Sequence, residues 1–127
     1  MTYLFRSYGI NAEMITMRLD VQLVRLDPNQ AILCGLIVNE LVSNCLKHAF
    51  TAGRLGWIAV RFRRSKRRKC VLVVSDNGVG LSAEVAVGKS QTLGLEMVGM
   101  LTDQLGATLA VRRRRGIEYR ISFDTQT

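Results

Sequence analysis

Two stretches of this chain hold residues whose types and spacing could do chemistry. The first runs from Asn39 to Phe50 and contains Glu40, Ser43, Asn44, Cys45, Lys47 and His48. On a helix, Glu40, Ser43, Asn44, Lys47 and His48 share one stripe, while Ile37, Leu41 and Cys45 run from its flank toward the core side. A polar stripe is usually a solvated face, rich in Lys and Glu. This one instead carries Asn39, Ser43 and Asn44, which are poor helix formers. The Asn44 carbonyl oxygen suits Mg²⁺, a hard cation that prefers oxygen ligands and keeps several waters. Glu40, one turn earlier, could accept a proton from an attacking nucleophile or orient it. Lys47, one turn later, could neutralise phosphate charge. The stripe reads as base, metal ligand and phosphate clamp.

The second stretch, Asp76 to Leu81, ends an apolar run in an aspartate followed by Gly78 and Gly80. A carboxylate only accepts hydrogen bonds and the exocyclic amine of adenine only donates them, so the two match. The glycines leave room for a flat ring or a moving loop. Taken alone, Asp76-Asn77-Gly78 also reads as a plain hairpin turn. A third piece, Gln91 to Leu95, opens a helix with Thr92 and Gly94. A helix N-terminus presents free N–H groups to phosphate. Residues 81–90, with Gly88 and Lys89, then fit a lid over a triphosphate.

These groups need elements to hold them. Ile15 to Val21 alternates apolar and polar residues, as a half-buried strand does. Asp27-Pro28 starts a helix, with aspartate as N-cap and proline in the first turn, that runs to about Phe50. Trp57 to Arg64 alternates again, and Cys70 to Val74 is continuous enough for a strand buried on both faces. A second helix spans about Leu93 to Leu105, with Met97, Val98, Leu101 and Leu105 on one face and Gly106 as its stop. Thr108 to Arg113 and Ile117 to Phe123 form a hairpin around Arg115-Gly116. Consecutive strands with short turns imply a mixed, mostly antiparallel sheet with helices packed on one face.

The bulk properties bound the reading. The 127 residues make one domain, 48% hydrophobic and 22% charged, as in an ordinary globular fold. The longest uncharged apolar stretch, Ala31 to Val38, is too short to span a bilayer, and Arg6 interrupts any apolar leader. A cytoplasmic protein is the expectation. Three cysteines without Cys-x-x-Cys spacing read as small core residues. Cys34 and Cys45 would stand about 16 Å apart along a helix, beyond disulfide reach. The net charge of +8 gathers in residues 61–69 and 112–115. No aromatic residues interleave there to stack on bases, so these runs read as solvated turns and nucleic acid is not an expected partner.

In this order the three pieces resemble the N, G1 and G2 boxes of the GHKL ATPases, the superfamily of gyrase, Hsp90, histidine kinases and MutL proteins. The wording is most similar to the catalytic domain of bacterial sensor histidine kinases, in the branch related to the HWE kinases. Arg6 to Gly9, Gly35 to Asn44, Leu46 to Phe50, Asp76 to Leu81 and Leu101 to Gly106 carry the likeness, which covers Tyr3 to Phe123.

The resemblance implies a two-layer α/β sandwich of the Bergerat type that binds ATP and Mg²⁺. It implies Glu40 as general base, Asn44 as Mg²⁺ ligand, Lys47 and His48 within the nucleotide-binding box, and Asp76 on the adenine amine. Gly78 and Gly80 would shape the pocket, and Thr92, Gly94 and Leu95 the phosphate end. The implied partners are a histidine-bearing dimerisation domain and a response regulator. Two departures stand out. His48 is the sole histidine and no dimerisation helix pair precedes Tyr3, so the acceptor is expected on another domain or chain, and this chain is expected to be a monomer. Ile117 follows Gly116 where the family commonly has threonine, which implies a weaker hold on nucleotide. A serine kinase acting on a sigma-factor antagonist, or a non-catalytic basic interaction module, are the alternative readings.

Overall fold

The structure, a computed structural model, describes residues 15–48, 56–78, 93–113 and 116–125. Seven elements follow in order: β1 (Ile15–Val21), α1 (Pro28–His48), β2 (Gly56–Arg64), β3 (Lys69–Asp76), α2 (Leu93–Leu105), β4 (Thr108–Arg113) and β5 (Ile117–Asp124). The strands form one five-stranded sheet in the order β1-β2-β3-β5-β4. Only β1 and β2 pair in parallel; every other pair is antiparallel. A parallel pair cannot be closed by a tight turn, so the chain must cross over the sheet between its strands, and α1 is that crossover. The two helices among the described residues lie on one face, α1 against β2 and β3, and α2 against α1 and β4. No helix among the described residues is long and apolar enough to cross a membrane. The expected lid, residues 81–90, lies outside the described residues, as do Ala49 and Phe50 at the expected end of the first helix.

Local chemistry sets the helix ends. Asp27 Oδ2 accepts the Asn29 N–H at 3.1 Å, and Pro28 occupies the first helical position, where no N–H is required. At the end of α2, Gly106 adopts a positive φ of 70°. The Gly106 N–H bonds the Asp103 carbonyl at 3.0 Å and the Ala107 N–H bonds the Thr102 carbonyl at 2.9 Å, the paired closure of a Schellman turn.

The core lies between the sheet and the helices. Ile58 and Val60 of β2, Cys70, Leu72 and Val74 of β3, and Ile117, Tyr119, Ile121 and Phe123 of β5 meet Ile37, Leu41, Cys45, Val98 and Leu101. Phe62 and Phe123 stack with ring centroids 6.3 Å apart. All three cysteines are free and buried, as expected of small core residues.

Two strands differ from the alternation read in the sequence. β1 is half-buried only at its start: Ile15 is covered, but Leu19 and Val21 are 63% and 61% exposed. An edge strand has a neighbour on one side, and the described helices lie against β2, β3 and β4 instead. In β3, Val73 is buried on the face away from the helices, although no described helix covers that face. Its neighbours across both ladders are Arg61 and Arg120, whose aliphatic stems can shield it while their charges stay in water. Val71 on the same face is only half-buried.

The buried thiols give the fold a pH dependence. Burial, aided by Cys70, pushes the Cys34 thiol from 9.0 to about 11, and burial pushes Cys45 well above 9.0. In the unfolded chain both ionise near their ordinary value. Between these values the folded state holds more protons than the unfolded one, so stability falls as pH rises. The urea midpoint should decline between pH 9 and 11, and Cys34→Ala should flatten part of that decline despite a lower midpoint at pH 8.

Candidate nucleotide site

Asp76 ends β3 in register with Ile58 of β2 and Ile117 of β5. It is only 4% exposed, so its carboxylate needs partners. Oδ1 accepts the Gly78 N–H at 2.9 Å, an Asx turn that folds the chain back over the carboxylate. Asn77 secures the next residue: its Oδ1 accepts the Trp57 N–H at 2.8 Å, and its own N–H reaches the Trp57 carbonyl at 3.4 Å. The side chain thus prolongs the β2–β3 ladder by one step. On the other flank, Gly116 lies so near Asp76 that a Cβ there would sit 2.1 Å from the Asp76 carbonyl oxygen. Its φ of 134° is one that residues with a side chain rarely adopt. The strand end is therefore fixed from both sides. It does not join β3 to β2 or β5, so the plain-hairpin reading of Asp76-Asn77-Gly78 fails.

The polar stripe of α1 turns inward at its centre. Asn44 and Ser43 are 4% and 6% exposed. Ser43 Oγ donates to the Asn39 carbonyl at 2.8 Å and is satisfied within the helix. The carboxamide nitrogen of Asn44 is buried without an acceptor among the described residues. Such a group is costly unless a ligand or water completes it, which argues against a merely structural Asn44. Glu40 is half-buried one turn before it, and Lys47 is exposed one turn after. His48 ends α1. Gly78 donates to Asp76 as described. Gly94 lies in the first turn of α2, and Leu95 is half-buried against the edge of the core. Gly80 and Thr92 lie outside the described residues.

The two stretches, some thirty residues apart in sequence, meet at Cys45. Its thiol lies beside the Asp76 carboxylate, within its electrostatic reach. Burial first, then the negative charge of Asp76, hold that thiol well above its ordinary value, so it stays a protonated donor. Tyr119, paired with Val74 on β5, approaches from below. Burial first, with the negative charge of Asp76 nearby, raises its phenol above the ordinary value of 10.0. Gly116, Asn77, Cys45 and Tyr119 are the additions that sequence reasoning missed. Only Gly116 left a signal, as the one glycine of a basic hairpin.

The donor set fits ATP with Mg²⁺. A buried acceptor at Asp76 suits an amine-bearing base; the Asn44 carboxamide includes an oxygen of the type a hard cation takes, and its buried nitrogen, without an acceptor among the described residues, suits a water or an anionic oxygen of the ligand. A five-stranded sheet with the two described helices packed on one face is the architecture of a two-layer α/β sandwich. The chain belongs to the histidine kinase-, DNA gyrase B- and HSP90-like ATPase family, whose sequence profile matches residues 29–127.

Among curated relatives, the sensor histidine kinase PdtaS of Mycobacterium tuberculosis is 37% identical over 97 residues, covering 73% of this chain and 19% of that protein. The chain thus spans about a fifth of the length of the relative it matches. Among solved structures, the histidine kinase domain of the Erythrobacter litoralis EL346 blue-light activated kinase superposes with a TM-score of 0.86 at 25% identity, covering 98% of this chain and 57% of that one. The mycobacterial sensor histidine kinase MprB shares the fold, with a TM-score of 0.72 at 19% identity over 98% of this chain and 88% of that one. This is a histidine-kinase-type ATPase domain, with the mixed, mostly antiparallel sheet and one-sided helices read from the sequence.

Gly116 supplies a direct test of the strand-end geometry. Gly116→Ala should lower stability by about 2 kcal/mol or more, since it combines a strained φ with a clash on backbone. It should also weaken ATP binding, because the Asp76 carbonyl must shift. Denaturant titration and calorimetry on one preparation measure both.

Proposed function

We propose that this chain is the catalytic domain of a sensor histidine kinase, binding ATP with Mg²⁺ and transferring the γ-phosphoryl group to a histidine on another domain or chain. The observation that carries the reading is the buried Asp76 carboxylate, held by Gly78 at the end of a strand against which α1 packs. In this reading Asp76 accepts the adenine amine, and Gly78 and Gly80 keep the pocket open for the ring. Asn44 holds Mg²⁺, which offsets phosphate charge when bound. Lys47 and His48 serve the phosphates from the end of α1, with Thr92, Gly94 and Leu95 at the start of α2. Glu40 orients the acceptor nucleophile or takes its proton.

Phosphoryl transfer asks little covalent chemistry of a protein, so positioning and charge neutralisation supply most of the rate. The phosphorylated histidine would then pass its group to the aspartate of a response regulator. The resemblance to PdtaS and to the blue-light kinase favours this reading over a serine kinase.

Binding and transfer should separate by mutation. Asp76→Asn replaces an acceptor facing the amine with a donor, and ATP affinity should fall about 100-fold or more. A variant that binds an ATP analogue as tightly as the parent excludes Asp76 from the base site. Glu40→Ala should leave ATP affinity within about twofold while transfer to a histidine-bearing dimerisation domain supplied in trans falls 10²–10⁴-fold, the usual range for a lost general base. Radiolabel transfer measures the second effect and calorimetry the first.

A further inference from the structure

The Tyr119 hydroxyl, like the Asn44 nitrogen, is buried without a hydrogen-bond partner among the described residues. Tyr119 is 1% exposed. A phenylalanine would pack the same ring without burying an unpaired hydroxyl, so the group needs a reason to be there. Its position supplies one. Tyr119 stands beside Val74 on the helix-facing side of the sheet, two residues from Asp76 along that face, and Ile117 directly opposite Asp76 has no hydrogen-bonding group to offer. The phenol falls within the electrostatic influence of Asp76. Three polar groups from three elements are thus buried in one region of the helix-facing core: the Cys45 thiol from α1, the Asp76 carboxylate from β3 and the Tyr119 hydroxyl from β5. An enclosed water requires two to four polar partners, and the Tyr119 hydroxyl with the Asp76 carboxylate supplies two.

We propose that Tyr119 is a positioning residue for base recognition, its hydroxyl anchoring an enclosed water that holds the Asp76 carboxylate from behind. With Cys45 beside it on the helix side and Gly78 donating from the loop, the carboxylate is fixed in the orientation that presents its acceptor to an amine-bearing base. Tyr119 itself touches no nucleotide. The inference rests on the reading of Asp76 as the base acceptor, and it locates selectivity for an amino-purine in the packing of β5.

Inosine triphosphate tests this cleanly, since it carries a carbonyl where ATP carries the amine and so gains nothing from a well-held Asp76. Calorimetry would measure both nucleotides, with Mg²⁺, on the parent chain and on Tyr119→Phe, alongside thermal unfolding of each. The expected result is ATP affinity about tenfold weaker in the variant, inosine triphosphate affinity changed less than about twofold, and no gain in melting temperature. Unchanged ATP binding with a higher melting temperature overturns the proposal, because the hydroxyl is then only an unpaired core group. Equal loss for both nucleotides overturns it too, by showing general loosening. A parent chain that does not prefer ATP over inosine triphosphate defeats the Asp76 reading itself, and this is visible before any variant is made.

Discussion

A carboxylate in a protein interior must be given hydrogen-bond donors, because an unpaired buried charge costs several kcal/mol even after relaxation. Asp76 imposes that requirement here, and much of the local structure answers it. The chain has to turn sharply after β3 so that the Gly78 N–H can reach Oδ1. α1 packs against β3 and brings Cys45 near the carboxylate. Gly116 has to lack a side chain, because β5 begins in direct contact with the Asp76 backbone. The site geometry follows from stabilising one ionisable group.

α1 meets the same demand from the other side. Wedged between the sheet and α2, it buries Leu41 and Val42 as well as Cys45 and Leu46, a face too wide to keep every polar residue in water. The neutral groups that come inside are treated differently. Ser43 bonds back to its own helix, as Thr102 does in α2 to Val98 and Gly99, so both are structurally complete. Asn44 is left with a carboxamide nitrogen unmatched among the described residues. Functional and structural polar residues on one helix are thus distinguished by what remains to be bonded.

Much of the architecture was legible because local rules and tertiary demands agree. Asp27-Pro28 caps α1, Gly106 closes α2, and the alternation through Trp57 to Arg64 marks β2. Glu40, Asn44 and Asp76 could be singled out because their residue types are unusual at those places. What could not be read is what depends on register. Nothing in spacing says that Cys45 lies near Asp76, that Gly116 lies on its carbonyl, or that Tyr119 is buried two residues along the same face. β1 misled for a related reason: alternation shows which side chains share a face, but not whether anything covers that face, so Leu19 and Val21 remain exposed.

The placement of charge along β3 has a consequence for ionic behaviour. The basic hairpin, Arg64 to Lys69, closes one end of this eight-residue strand and Asp76 stands at the other. At a rise of roughly 3.3 Å per residue the ends are about 23 Å apart. The screening length at physiological ionic strength is about 8 Å, so the strand spans nearly three of them. It serves as an electrical spacer. The hairpin's cations can keep the protein soluble and meet whatever anion comes near them, while the potential felt by a nucleotide at Asp76 is set by the few residues immediately around it.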